Sequence, residues 1–216
     1  MPESGLYAAN LPLAELCLVE PPTVWSHAVS RGRVTASDTV LVFESGGIGL
    51  GAVVGTLSRG ASVTAVHLDR KKLEIVRGLG AHETIEVAEE DVALRVLELT
   101  NNRGPDVVVE AVGSVETFRQ AVELVAFAGR VVHIGSAKQP VSYETKLFVQ
   151  KELDIVGSRN ELATDFLDVI SILEAERFPI ASAISAVEGI DEAPAMLERW
   201  SSSPGSFTKI LIEVDV

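Results

Sequence analysis

Five apolar runs punctuate the chain between Thr39 and Gly135, with helix-like stripes in the gaps between them. Val40 to Phe43 forms the first run and empties into a glycine-rich turn, Gly46-Gly47-Ile48-Gly49. Val63 to Val66, Thr84 to Val87, Val107 to Val109 and Val131 to Ile134 read as four further strands. Helices are predicted from the turn to about Arg59, around Leu73, Ile75, Val76 and Leu79, around Val92, Val96 and Leu97, and around Val122, Leu124 and Val125. The strand runs are continuous rather than alternating, which is the pattern of strands buried on both faces. Strict strand–helix alternation then predicts an α/β fold: a doubly wound, mainly parallel sheet with helices on both faces.

The rhythm changes after Gly135. Pro140 to Tyr143 reads as an extended segment and Leu153 to Val156 as another strand. Phe166, Val169, Ile170 and Leu173 fall at i, i+3, i+4 and i+7, the apolar stripe of an amphipathic helix. A further helix is expected over Ile190 to Trp200, and Ile210, Leu211, Ile212 and Val214 read as a strand closing the sheet. At the other end, Pro12, Pro21 and Pro22 surround a short helical piece. The chain is therefore divided into a lead-in segment at 1–35, a nucleotide-binding domain at 36–160, and C-terminal helices with a closing strand at 161–216.

Composition narrows the function classes. A net charge of -13 argues against nucleic acid, whose phosphates recruit basic surfaces. No apolar run reaches membrane-spanning length, and the acidic, proline-containing start does not read as a signal peptide. A lone Cys17 leaves no intrachain disulfide and fits a reducing compartment, so the cytoplasm is expected.

Glycines at 46 and 49, between a strand and a helix, suit a dinucleotide pyrophosphate. They let the backbone approach the phosphates, and the helix start supplies unpaired N–H groups and the positive end of its dipole. The same turn also serves as a tight strand–helix connection without a ligand.

A wider set of motifs makes the likeness specific. Asp38 to Val42 running into Gly46 to Gly51, then Arg70-Lys71-Lys72-Leu73-Glu74 with Leu79-Gly80-Ala81-His82, resembles the cofactor domain of medium-chain, zinc-type alcohol and polyol dehydrogenases. Pro105 to Gly113 and Gly129 to Gly135 resemble that family's fourth and fifth strands. Lys151-Glu152-Leu153 with Gly157-Ser158-Arg159-Asn160 is similar to its sorbitol, idonate and galactonate branch. The resemblance starts near Leu11 and implies a Rossmann-type domain binding NAD or NADP. The implied cofactor contacts are Gly46, Gly47, Ile48 and Gly49 at the pyrophosphate. Val112, Gly113, Ile134 and Gly135 would line the nicotinamide side, with Lys209 near the phosphates.

Departures from the family pattern are as informative. One cysteine and four histidines cannot build the family's zinc sites, so no zinc is expected. The first glycine of Gly-x-Gly-x-x-Gly is Glu44, and the acid that ends the second strand is His67. An ionised Glu44 facing the pyrophosphate would repel it by about 4 kcal/mol at an effective dielectric near 20. The benign alternatives have Glu44 turned outward or capping the turn. His67 with Arg70 and Lys71 suits an adenosine 2′-phosphate, favouring NADP, whereas Asp69 replaces the ribose acid only if its turn is reshaped.

For catalysis the candidates are His27, Arg159 and Glu20. Each has a plainer reading, as a packed histidine, a surface ion pair and a polar residue before Pro21. The resulting expectation is an NAD(P)-dependent oxidoreductase of alcohol or polyol dehydrogenase type acting on a small molecule, with weak or absent cofactor binding. The alternatives are a repurposed domain with non-redox chemistry or small-molecule binding, and a non-enzymatic oligomeric subunit. A homodimer is expected through the edge formed by Pro140 to Val156.

Overall fold

The structure, a computed structural model, describes residues 6–44, 46–177, 184–203, 206–207 and 209–214. Two helices precede the first strand: α1 (Leu13–Leu16) and α2 (Glu20–Arg31). Pro21 and Pro22 occupy the first turn of α2, where a missing N–H breaks no helical bond. Pro12 on one side and Pro21 and Pro22 on the other thus flank the short α1, as expected, and the latter two also start the twelve-residue α2.

Strands and helices then alternate. They are β1 (Thr39–Phe43), α3 (Gly47–Ser58), β2 (Ser62–His67), α4 (Arg70–Gly78), β3 (Glu83–Glu86), α5 (Val92–Leu99), β4 (Val107–Glu110), α6 (Val115–Leu124) and β5 (Arg130–His133). A short helix α7 (Lys146–Gln150) leads to β6 (Asp154–Gly157) and then α8 (Ala163–Glu174). The six strands form one sheet in the order β3-β2-β1-β4-β5-β6, with every pair parallel. Chain direction reverses its progress across the sheet between β1 and β4, so the two halves wind outward and leave a crevice at their carboxyl ends.

Side-chain alternation splits the interior into two cores. Val40 and Val42, Val63 and Ala65, and Val107 and Val109 face one side, where they meet Trp25 and Val29 of α2, Ala52 and Val53 of α3, and Val169 and Ile170 of α8. Leu41 and Phe43, Val66 and Val108 face the other side, against Val92 and Val96 of α5 and Ala121 and Leu124 of α6. The continuous valine runs follow directly, because both faces of each strand are covered.

Helices α2 and α3 approach closely because α3 carries glycine where they cross. A Cβ at Gly51 would lie 1.9 Å from Trp25 Cδ1, and one at Gly55 would lie 2.7 Å from Trp25 Cε3. Gly51→Ala should therefore destabilise the protein by about 1–3 kcal/mol through overpacking, despite alanine's better helix propensity. Gly78, in α4, has open space where a Cβ would go. Gly78→Ala should instead stabilise by about 0.4–1 kcal/mol. Denaturant midpoints of the two variants moving in the same direction would contradict this packing.

The C-terminal region departs from expectation. The last strand, β8 (Lys209–Glu213), does not close the main sheet; it pairs in parallel with β7 (Ile184–Gly189) in a separate two-stranded sheet. The partner strand is half-exposed and mixes small and polar residues, so its apolar signal is faint, and its backbone satisfies β8 without the main sheet's edge. Ile184 and Leu211 pack this small sheet onto the α2–α3–α8 core. Between β7 and β8, a 3-10 turn at Ile190–Glu192 precedes α9 (Ala193–Ser202). Pro140 to Tyr143 forms no strand, so on this side the main sheet ends at β6, with β3 as its other edge. No helix among the described residues is long and apolar enough to cross a membrane.

Candidate dinucleotide site

Parallel pairing brings Phe43, His67, Glu86, Glu110, His133 and Gly157 to one edge of the sheet as strand ends. That edge gathers Gly46 to Gly49 after β1, His67 to Arg70 after β2, Val112 and Gly113 after β4, Ile134 and Gly135 after β5, and Arg159 after β6. Gly46 precedes α3 with φ 92° and ψ -148°, a conformation available to glycine and strained for other residues. Among the described residues no side chain caps α3 and no acid lies in its first turn. Its leading N–H groups therefore face outward beside the crevice, an arrangement that attracts an anion.

Gly49 is required by contact. A Cβ there would stand 2.6 Å from Glu44 Cα and 2.3 Å from Glu44 Cβ, so the turn folds directly over Glu44. Glu44 neither turns outward nor caps the turn. Its side chain is 1% exposed, Oε2 is buried with no hydrogen-bond partner among the described residues, and Oε1 lies 4.0 Å from His67 Nε2. Burial raises its carboxyl from the ordinary range to about 7, with Lys72 pulling weakly the other way. Burial, together with Lys72, also lowers the pKa of His67. The two departures from the family pattern thus meet, as an acid that resists ionising and an imidazole that resists protonation.

His67 Nδ1 accepts a hydrogen bond from the Asp69 N–H at 2.7 Å, which leaves the ring proton on Nε2, facing Glu44. Asp69 caps α4, its carboxylate accepting from the Lys71 N–H at 2.8 Å. That acid caps the helix start through one oxygen and is otherwise exposed beside the end of the second strand. Arg70 and Lys71 are exposed beside it, and Arg70 has one weak contact, 3.8 Å from Glu74. Lys72, which sequence reasoning missed as a site residue, is half-buried and carries the charge that acts on both Glu44 and His67. Its spacing of four from the buried Val76 was the available signal.

At the other end of the crevice, Glu110 organises the turns after β4 and β5. It is fully buried, and its Oε1 accepts from the N–H groups of Val112 (2.9 Å) and Gly113 (2.7 Å) and from Thr117 Oγ1 (2.8 Å). Its backbone carbonyl accepts from Ile134 N and Gly135 N. Burial opposes ionisation, but His133 and these three donors outweigh it and hold the carboxyl below its usual range. His133 Nδ1 stands 3.9 Å from Glu110 Oε2, an ion-pair separation longer than a hydrogen bond, and its ring stacks on Phe118. Gly135 has no room for a side chain, since a Cβ would lie 2.4 Å from Gly113 N. Val112 is left exposed on the rim. The signal for Glu110 was a lone charge ending an all-valine strand.

The candidate catalytic residues are not brought together. His27 lies between α2 and α8, its Nδ1 3.0 Å from Asp165 Oδ2, and the same carboxylate accepts from the Leu162 N–H at the start of α8. It lines a groove of about 580 Å³ with Arg31, Arg33, Arg59, Asp154 and Asp168. Arg33 and Asp154 are paired where β6 begins, so this groove extends toward the opposite end of the sheet from the glycine turn. Glu20 is exposed as the first residue of α2, and Arg159 is exposed beyond β6. Lys209 belongs to the two-stranded sheet, in register with Ile184. Among the described residues no group of three or more His, Cys, Asp or Glu is placed to hold a metal ion.

The fold and this edge define a doubly wound α/β domain of Rossmann type. The profile of the zinc-binding dehydrogenases matches residues 47–175, and the chain belongs to that family. An uncharacterized zinc-type alcohol dehydrogenase-like protein of Haemophilus influenzae is 29% identical over 93% of this chain and 58% of its own length. A sorbitol dehydrogenase of Halalkalibacterium halodurans is 30% identical over 74% of this chain and 48% of its own. The chain thus spans about half the length of these curated relatives. A putative zinc-binding dehydrogenase from Sinorhizobium meliloti, solved bound to NADP, superposes with a TM-score of 0.83 at 25% identity, covering 94% of this chain and 61% of that one.

A nicotinamide dinucleotide fits the edge unevenly. The glycine turn and the uncapped start of α3 suit its pyrophosphate, and the interlocked glycines at 113 and 135 leave a backbone-lined floor at the far end. At the adenosine end Glu44 is buried, and Asp69, Arg70 and Lys71 are exposed charged groups.

Proposed function

We propose that this chain is the cofactor-binding part of an NAD(P)-dependent oxidoreductase of alcohol or polyol dehydrogenase type. The observation that carries the reading is the uncapped start of α3 behind Gly46, beside the crevice between β1 and β4. Gly46, Gly47, Ile48 and Gly49 hold the pyrophosphate, and Val112, Gly113, Ile134 and Gly135 orient the nicotinamide face. The bound cofactor supplies or accepts a hydride. Arg70 and Lys71 favour a 2′-phosphate, because β2 ends in His67 rather than an acid and the nearby Asp69 carboxylate already accepts the Lys71 N–H. Arg159, exposed on the same edge, is the candidate for an anionic group of a small-molecule substrate. His27 and Glu20 stay secondary candidates.

The two departures at 44 and 67 also support a second reading, in which the crevice binds a small molecule without redox chemistry. A homodimer through the outer edge of β6, where Ile155 is exposed, and a cytoplasmic setting, supported by the single cysteine, complete the proposal. Fluorescence titration with NADH and NADPH separates the readings. Weak binding is expected from both, with NADPH no weaker than NADH. Tight, NADH-selective binding would reverse the 2′-phosphate assignment, and no binding of either would leave the second reading.

A further inference from the structure

We infer that Glu44 and His67 form a proton-linked selector at the adenosine end of the dinucleotide site, which admits the dinucleotide while the Glu44 carboxyl is protonated and rejects it once that carboxyl ionises. The inference rests on the dinucleotide reading above and adds the residue that sets when the site is open.

Geometry carries the case. Gly49 sits in contact with the Cα and Cβ of Glu44, so the carboxyl lies within one side-chain length of the N–H groups that would face a diphosphate. Glu44 Oε2 is buried and has no partner among the described residues, and Oε1 is 4.0 Å from His67 Nε2, too far for a hydrogen bond. Because His67 Nδ1 already accepts from Asp69, the imidazole presents its remaining N–H toward the carboxyl.

The other charged groups around Glu44 do not neutralise it. From β2 and its turn come His67, whose pKa is lowered, and Asp69, whose carboxylate is spent on the Lys71 N–H. From α4 comes Lys72, whose pull on Glu44 is smaller than the effect of burial. The first turn of α3 offers no acidic side chain, and at the end of β4 the Glu110 carboxylate is engaged by Val112, Gly113 and Thr117. A carboxyl raised to about 7 in this setting changes charge near neutrality. Its ionised form places an uncompensated negative charge in low-dielectric surroundings beside the phosphates.

The test is the pH dependence of NADH binding, followed by fluorescence; NADH lacks the 2′-phosphate, whose own titration would intrude. Affinity should be level from about pH 5.5 to 6.5 and fall about tenfold or more by about pH 8.5, approaching tenfold per pH unit. Glu44→Gln should bind with the wild-type low-pH affinity across the whole range. Independently of any variant, calorimetry of the unmodified protein in two buffers of different ionisation enthalpy should show uptake of most of one proton per NADH near pH 8. Binding by the unmodified protein that is flat with pH and takes up no proton would overturn the selector alone. Absence of binding by both proteins at every pH would overturn the dinucleotide reading and the selector with it.

Discussion

Glu110→Ala is expected to destabilise the protein by about 3–5 kcal/mol, the largest loss from any single carboxylate in the crevice. One oxygen of this fully buried side chain accepts from Val112 N, Gly113 N and Thr117 Oγ1. Alanine removes the acceptor that two backbone N–H groups and a hydroxyl share. Glu110→Gln keeps the shape and one acceptor oxygen, so it should cost less, about 1–3 kcal/mol. The pH dependence has a definite sign. The folded-state pKa of Glu110 is lowered, so its stabilisation is complete above the unfolded carboxylate range and is lost as pH falls through the lower folded value. The gap between wild type and Glu110→Ala should therefore narrow in acid. Urea titrations at about pH 7 and pH 3 measure both effects, and a gap that widens in acid would mean the carboxyl is not held ionised. Because the same oxygen fixes Val112 and Gly113, the alanine variant should also loosen the turn after β4 at the edge of the crevice.

Glu44→Gln is expected to do the opposite, stabilising the protein at alkaline pH by an amount on the order of 2–3 kcal/mol. The Glu44 carboxyl is raised to about 7 by burial in the fold, against 4.5 for an ordinary glutamate. Between these values the folded state holds the proton more tightly than the unfolded chain. Stability from this group is therefore intact below about 4.5 and declines as pH rises toward 7. Glutamine mimics the protonated acid and carries no such penalty. His67 acts in the other direction over part of the window. Its pKa is lowered in the fold, so its contribution improves as pH rises toward the ordinary histidine value. That contribution is common to both proteins and drops out of their difference. The difference in melting temperature should be near zero at about pH 4.5 and reach roughly 5–10 °C at pH 8. Parallel melting curves across that range would show that Glu44 ionises in the fold as easily as in the unfolded chain.

Much of the sheet was legible because its strands are buried on both faces. Val107, Val108 and Val109 are all 0% exposed, so the run is apolar at every position instead of every second one. Right-handed crossovers then force such strands into parallel register with helices on both sides. The glycine turn was legible for a similar reason, since Gly46 adopts a backbone conformation suited to glycine and Gly49 touches the backbone beneath it. Glu44 and His67 were each visible as departures from a pattern, but not as neighbours.

What the sequence by itself determined is local: which stretches become strands, which side of each helix is apolar, and where a turn demands glycine. These follow from side-chain period and backbone sterics, which act within a few residues. Tertiary structure alone decided who meets whom. Register between β1 and β2 sets Phe43 beside Val66 and so brings Glu44 to His67, 4.0 Å apart. The packing of α2 on α8 commits His27 to Asp165, 138 residues away, where the sequence had left an active-site role open. The pairing of β8 with β7 rather than with the main sheet was likewise settled by a half-exposed partner with little apolar signal. The Glu44 pKa belongs to the same class. It depends on how completely neighbouring elements exclude water from one carboxyl, a property of packed surfaces that no run of residues encodes on its own.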